Sequence, residues 1–243
     1  MNRLKKCLFV ILMLIVVSQN GYGQLFKGEV LVGGNLSQLD GDMVAGYKKI
    51  GFCGGLGLQY PFSFHSDAQT KRWAVSMELF FAQRGARQRN PYYNSNDTIN
   101  DFTNYRFKYL LKTNYVCLPF MLHYTDKEKY TVGMGLSYNR MFSVDEIEFG
   151  VRQTYDSIDY LKPYDLMYVL DLRCKIWKQL KLGFRFEYSL ISLRTRIFPQ
   201  TTFHYKETRN QYNNTLSLYL VYVFNEKQAD TEKQKKKEKI YYY

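Results

Sequence analysis

Trp73-Ala74-Val75-Ser76-Met77-Glu78-Leu79-Phe80-Phe81-Ala82 carries an apolar or aromatic side chain on every odd position, with mostly small or polar ones between. Side chains along a strand point alternately to its two faces, so the stretch reads as a β-strand with one apolar face. Tyr130, Val132, Met134, Leu136 and Tyr138 repeat the rhythm against Thr131, Gly133, Gly135, Ser137 and Asn139. Followed outward from these two, the same period predicts eight strands, at 28–37, 48–60, 72–84, 105–124, 129–142, 164–177, 180–194 and 212–224. The connections alternate in length. Those at 61–71, 125–128 and 178–179 are short, and those at 38–47, 85–104, 143–163 and 195–211 are long and polar. This pattern predicts an all-β fold, an eight-stranded antiparallel up-and-down transmembrane β-barrel of the bacterial outer membrane.

The start of the chain points to the same compartment. Arg3, Lys5 and Lys6 precede the apolar run Cys7–Val17, and Gly21-Tyr22-Gly23 offers a small-x-small cleavage site. Residues 1–23 therefore read as a signal peptide. Eleven apolar residues fall short of the roughly 20 that a membrane helix needs. Residues 24–224 would form the barrel, with both termini in the periplasm and the protein multi-pass and monomeric. A basic tail follows at 225–243, in which Lys233, Lys235, Lys236, Lys237 and Lys239 precede Tyr241-Tyr242-Tyr243.

The formal charge is +12, and the aromatic fraction is 17%. An exported chain seldom meets nucleic acid, so the expected counter-charges are outer-membrane lipid and lipopolysaccharide. Cys53, Cys117 and Cys174 have neither metal-ligand spacing nor an even count for disulfides, and no cofactor motif is present.

Period two alone does not say which face is inside, and a soluble lipocalin-like barrel would turn its apolar face inward. The small faces of strand two (Gly51, Cys53, Gly55, Gly57) and strand five (Gly133, Gly135) suit a cramped lumen, so the apolar face is assigned to lipid. Strand eight then ends on Leu218, Leu220, Tyr222 and Phe224, an outward aromatic terminus. In strand four the apolar parity changes from Phe107, Tyr109 and Leu111 to Val116, Leu118, Phe120, Leu122 and Tyr124, which predicts a β-bulge near 112–115. Pro119 is out of place in a central strand because it cannot donate to the ladder.

Two sets of residues follow from this parity. Glu78, Arg84, Asp171, Arg173, Lys175, Arg185 and Glu187 would face the lumen as a polar network. Phe26, Tyr60, Trp73, Tyr124, Tyr130 and Phe224 would form an interfacial aromatic girdle at the periplasmic strand ends. An eight-stranded barrel has room for side chains or one small ligand, so the network is expected to fill the lumen. His65, His123 and His204 join no serine and acid by spacing; His204 with Ser192 is the nearest approach to a catalytic pair, and no enzymatic activity is expected. The long loops, rich in Arg, Tyr and Asn, are the expected recognition surface.

Gly33-Gly34-Asn35-Leu36-Ser37, Gly51-Phe52-Cys53-Gly54-Gly55-Leu56 and Glu78-Leu79-Phe80-Phe81-Ala82-Gln83-Arg84-Gly85-Ala86 follow in order. Tyr115-Val116-Cys117-Leu118-Pro119-Phe120-Met121-Leu122-His123-Tyr124 comes next. Together these segments resemble the PorT-like outer-membrane β-barrel family of Bacteroidetes, which also accounts for Pro119. The resemblance spans about residues 28–224. It implies an outer-membrane barrel with an accessory role in type IX protein secretion and other secretion-machinery proteins as partners. The chain departs from PorT proper after residue 125, where no paired-asparagine turn follows the proline strand. A narrow pore or small-solute-binding barrel is the alternative expectation, and a lipid-modifying surface enzyme a third.

Overall fold

The computed structural model describes residues 26–42, 46–62, 71–88, 109–126, 129–148, 151–153, 161–199 and 206–224. The expected signal peptide at 1–23 and the expected basic tail at 225–243 lie outside them.

Eight strands close a ring: β1 (Lys27–Asp40), β2 (Lys49–Phe62), β3 (Lys71–Arg87), β4 (Tyr109–Asp126), β5 (Tyr130–Glu148), β7 (Tyr164–Trp177), β8 (Leu180–Ser189) and β10 (Lys206–Phe224). Each pairs antiparallel with its neighbours, and β1 pairs with both β2 and β10. The seam runs from Gly28↔Phe224 to Asp40↔Tyr212, so no edge is left in the ring. Closure satisfies every ladder group in a medium that offers no water.

Two short strands lie outside the expected set. β6 (Val151–Arg152) pairs with the far end of β5, and β9 (Arg194–Pro199) pairs with the first half of β10. Both lie in segments expected to be loops. They form because β5 and β10 run on past the ring, β5 to Glu148 and β10 from Lys206, and their exposed edges recruit the returning chain. The seventh ring strand correspondingly stops at Ser189 rather than running on to 194.

Lipid-facing parity is as expected over most strands. Leu56, Leu58, Met77, Leu79, Phe120, Met134, Leu136, Leu172 and Leu218 are all at least half exposed. The register shift also falls in the expected place, between Asn114 and Tyr115. Its extra residue is Phe142 on β5, however, and β4 keeps one parity throughout. Tyr109 and Leu111 consequently face inward, against expectation, with 9% and 0% of their surface exposed. At Pro119 the β3–β4 ladder skips from Met77↔Phe120 to Phe80↔Cys117 without losing register, which is how the strand tolerates a residue with no N–H.

Two inward-facing rings lie over glycines. A Cβ on Gly183 would lie 2.4 Å from the Tyr219 ring, and one on Gly133 would lie 2.5 Å from His123 Nδ1. Each glycine is the direct cross-strand partner of the ring it meets, Gly183 of Tyr219 and Gly133 of His123, so its missing side chain gives that ring room over the neighbouring strand.

Candidate functional site: a filled lumen with a closed mouth

Inward parity on β1, β3, β7, β8 and β10 brings charged side chains together on the barrel axis. Arg173 is the hub nearest the chain termini. Its Nη1 donates to Glu29 Oε2 at 2.8 Å, its Nη2 to Glu78 Oε1 at 2.7 Å and its Nε to Asp171 Oδ2 at 2.6 Å. Arg185 donates to Asp171 Oδ1 at 3.3 Å and to Glu78 Oε1 at 3.0 Å. The Tyr219 hydroxyl donates to Asp171, and its ring lies 5.0 Å from the Arg185 guanidinium. Three carboxylates therefore face two guanidiniums, and the bidentate geometry of arginine lets each cation serve several acids.

Further along the axis, Arg84 Nη2 donates to Glu187 Oε2 at 2.7 Å, and the guanidinium sits 5.4 Å over the Tyr115 ring. Beside this pair, Asp165 Oδ2 accepts from Ser189 at 2.7 Å and from Asn213 at 2.8 Å. Breaking a buried pair of this kind costs about 3–5 kcal/mol, because the remaining charge has nowhere to go.

The end opposite the termini is shut by a different chemistry. Leu161 and Leu193, from the segments joining β6 to β7 and β8 to β9, turn inward onto Leu39, Ala86, Tyr109 and Leu111. The inward turn is held by Lys162 N–H donating to Leu193 O at 2.9 Å and Leu193 N–H donating to Gln211 O at 2.7 Å. Above this plug Arg194 makes a forked contact with Glu146, at 3.0 and 2.8 Å, and also donates to Tyr109 and Gln211. Arg196 pairs with Glu148 one rung further out. Burial alone would lower the pKa of Arg194, but Glu146, Tyr109 and Glu148 together outweigh it and hold the guanidinium above its ordinary value. These two rungs clamp the β5 and β9 extensions across the mouth.

Of the seven predicted lumen residues, the structure gathers Glu78, Asp171, Arg173 and Arg185 into one network and places Arg84 and Glu187 as a separate pair. Lys175, the seventh, sits half-buried beside the register shift that ends β7, where the backbone turns and strict alternation fails. Glu29 and Tyr219 were missed, although their parity on β1 and β10 was enough to find them. Also unanticipated, Ser76 Oγ lies 2.7 Å from His123 Nε2, with both side chains sealed in the wall. His65 and His204 lie outside the described residues, and Ser192 is held by Lys162 at 3.3 Å.

The six girdle positions all lie on the outer wall at the end holding the termini. Phe26 and Tyr60 pack at 5.4 Å between ring centroids, and Trp73 and Tyr124 at 5.1 Å. Two cations sit over rings at that end, Lys129 over Tyr130 at 5.3 Å and Lys178 over Trp177 at 5.2 Å.

Residues 19–195 match the outer membrane protein beta-barrel domain family. The chain belongs to that family. It is an integral β-barrel of the outer membrane, and its ring of eight antiparallel strands is the family's architecture in this sequence. No curated protein matches this barrel. Solved structures similar to it include Ail, the attachment invasion locus protein of Yersinia pestis, at 13% identity and a TM-score of 0.42, over 82% of this chain and 98% of that one. Neisserial surface protein A is similar at 11% identity and a TM-score of 0.37, over 81% and 96%. OprG from Pseudomonas aeruginosa is similar at 12% identity and 0.35, over 81% and 95%.

Proposed function

We propose that this barrel is a non-catalytic binding or assembly component of the outer membrane, acting as an accessory to type IX-like protein export. The observation that carries the non-channel part of this reading is the lumen. It is crossed by arginine–carboxylate pairs along its length and plugged by Leu161 and Leu193 at the mouth. A tube filled in this way is a scaffold, and recognition falls to its ends and outer wall. The export role rests on the resemblance of residues 33–37, 51–56, 78–86 and 115–124 to PorT-like barrels of Bacteroidetes.

In this reading both termini lie in the periplasm and the β5–β6 and β9–β10 extensions stand outside the cell. The Phe26, Tyr60, Trp73, Tyr124, Tyr130 and Phe224 girdle anchors the inner leaflet, and Lys129 over Tyr130 and Lys178 over the neighbouring Trp177 meet lipid phosphates. Outer-membrane lipid, lipopolysaccharide and secretion-machinery proteins are the partners. The enclosed Ser76–His123 pair supports no hydrolytic role, since no substrate carbonyl can reach it.

The test is a comparison of secreted proteins between the parent strain and a clean deletion. Cargo retained inside an intact envelope supports the export role, and normal secretion removes it. One observation favours the alternative of a narrow pore or small-solute binder. Asp165 Oδ1, Asn213 Oδ1 and Thr215 Oγ1 are buried acceptors without a hydrogen-bond partner among the described residues. Planar-bilayer recording separates the two, because the filled scaffold gives no regular current steps and a pore does.

A further inference from the structure

The outer wall at the loop end carries a surface that differs in kind from the girdle at the other end. Register places Tyr168 opposite Tyr188, Tyr188 opposite Asn214 and Asn214 opposite Gln38, a level row across β7, β8, β10 and β1. Tyr212 stands opposite Asp40 just above it. The three tyrosines form a slab. Tyr168 and Tyr188 lie 5.8 Å apart, and Tyr188 and Tyr212 lie 6.2 Å apart and within 13° of parallel. They share outward parity with the exposed Leu170, Leu172 and Leu218, so the slab faces away from the lumen.

Beside the rings runs a chain of polar groups. Gln38 donates to Asp40 Oδ1 at 2.7 Å, and Asn214 donates to Asp40 Oδ2 at 3.2 Å. The Tyr47 hydroxyl, from the first long connection, donates to Asn214 Oδ1 at 2.7 Å. A carboxylate, Asp40, borders this slab, whereas at the termini end Lys129 and Lys178 cover the rings. A cation over a ring matches a phosphate. A run of packed rings, near parallel at Tyr188–Tyr212 and tilted by 33° at Tyr168–Tyr188, edged by carboxylate, amide and phenol, matches a sugar, whose C–H face stacks on a ring while its hydroxyls bond the polar edge.

We infer that the Tyr168–Tyr188–Tyr212 slab with its Asp40–Asn214 edge binds the sugar rings of a glycolipid headgroup in the outer leaflet. The placement of this end in the outer leaflet rests on the orientation proposed above, but the binding chemistry does not. Phospholipid offers no ring to stack, and charge complementarity argues against a phosphate as the recognised group. The aromatic slab is present before any ligand arrives, since its rings pack on one another, so little ordering cost attends binding.

The folded full-length protein in zwitterionic detergent is titrated with two probes, dephosphorylated lipid A and phosphatidylglycerol, and complexes are counted by native mass spectrometry. Dephosphorylated lipid A is expected to bind at least about tenfold more tightly than phosphatidylglycerol, and Tyr188→Leu with Tyr212→Leu to remove roughly that tenfold. Folding of each variant is read independently from its heat-modifiable gel mobility. Should the double variant fail to fold, Asp40→Asn, which keeps the size of the side chain, is expected to weaken dephosphorylated lipid A alone. Equal binding of the two lipids, or unchanged lipid A binding in the folded variants, overturns the proposal. A protease-accessible tag in the β9–β10 connection tests orientation separately, so a reversed barrel and an absent sugar site give different results.

Discussion

Arg173 shows how much one side chain settles in this molecule. It contacts carboxylates from β1, β3 and its own strand, and all three are buried with it. Arg173→Met takes a cation from each of Glu29, Glu78 and Asp171, of which the last two keep Arg185. The expected loss is about 3–5 kcal/mol, read as a lower guanidinium midpoint for unfolding in detergent. Gly183 acts by being empty. A methyl group there meets the Tyr219 ring at 2.4 Å and displaces the phenol that bonds Asp171. Gly183→Ala is expected to cost about 1–3 kcal/mol by the same measurement, and a fully stable variant would show that the ring moves aside without loss. The Arg173 partners were only partly legible in the sequence. Parity gave Glu78 and Asp171, but nothing in the order of residues says which acids meet across a lumen.

Among the elements, β5 carries the clearest signal and also the main departure. Its lipid face, Val132, Met134, Leu136 and Tyr138, was readable from period two alone. Leu136→Arg puts a guanidinium into hydrocarbon and is expected to reduce insertion into vesicles by about 2–4 kcal/mol, judged by heat-modifiable mobility. Normal insertion would reverse the assignment of faces. What could not be read was the far half of the strand. Phe142 is an extra residue that shifts the register, so Glu146 and Glu148 point over the mouth and meet Arg194 and Arg196. These contacts belong to segments that look like polar loops, because charge on a strand extension resembles charge on a loop until its partner is known. The tyrosine slab was hidden for a similar reason. Tyr168, Tyr188 and Tyr212 are far apart in the chain, and only inter-strand register aligns them.

At the scale of the whole molecule, ring size and strand order followed from alternation and loop lengths, while closure depends on pairs that no local pattern announces. The seam ends at Gly28↔Phe224. Removal of residues 226–243 is therefore expected to leave a folded barrel with unchanged mobility on unheated gels, and failure to assemble would mean that the tail takes part in folding.

The lumen charges have a consequence for how the protein is made. Glu29 sits on the first strand and Arg173 on the sixth of the ring, while Tyr219 arrives on the last. An open sheet, with its two ends still apart, exposes guanidiniums and carboxylates whose counterparts are on the opposite margin. Partial intermediates are thus electrostatically penalised, and only the joined cylinder neutralises itself. Insertion should behave as a single cooperative event, with the ion pairs acting as a checkpoint that an incomplete barrel does not pass.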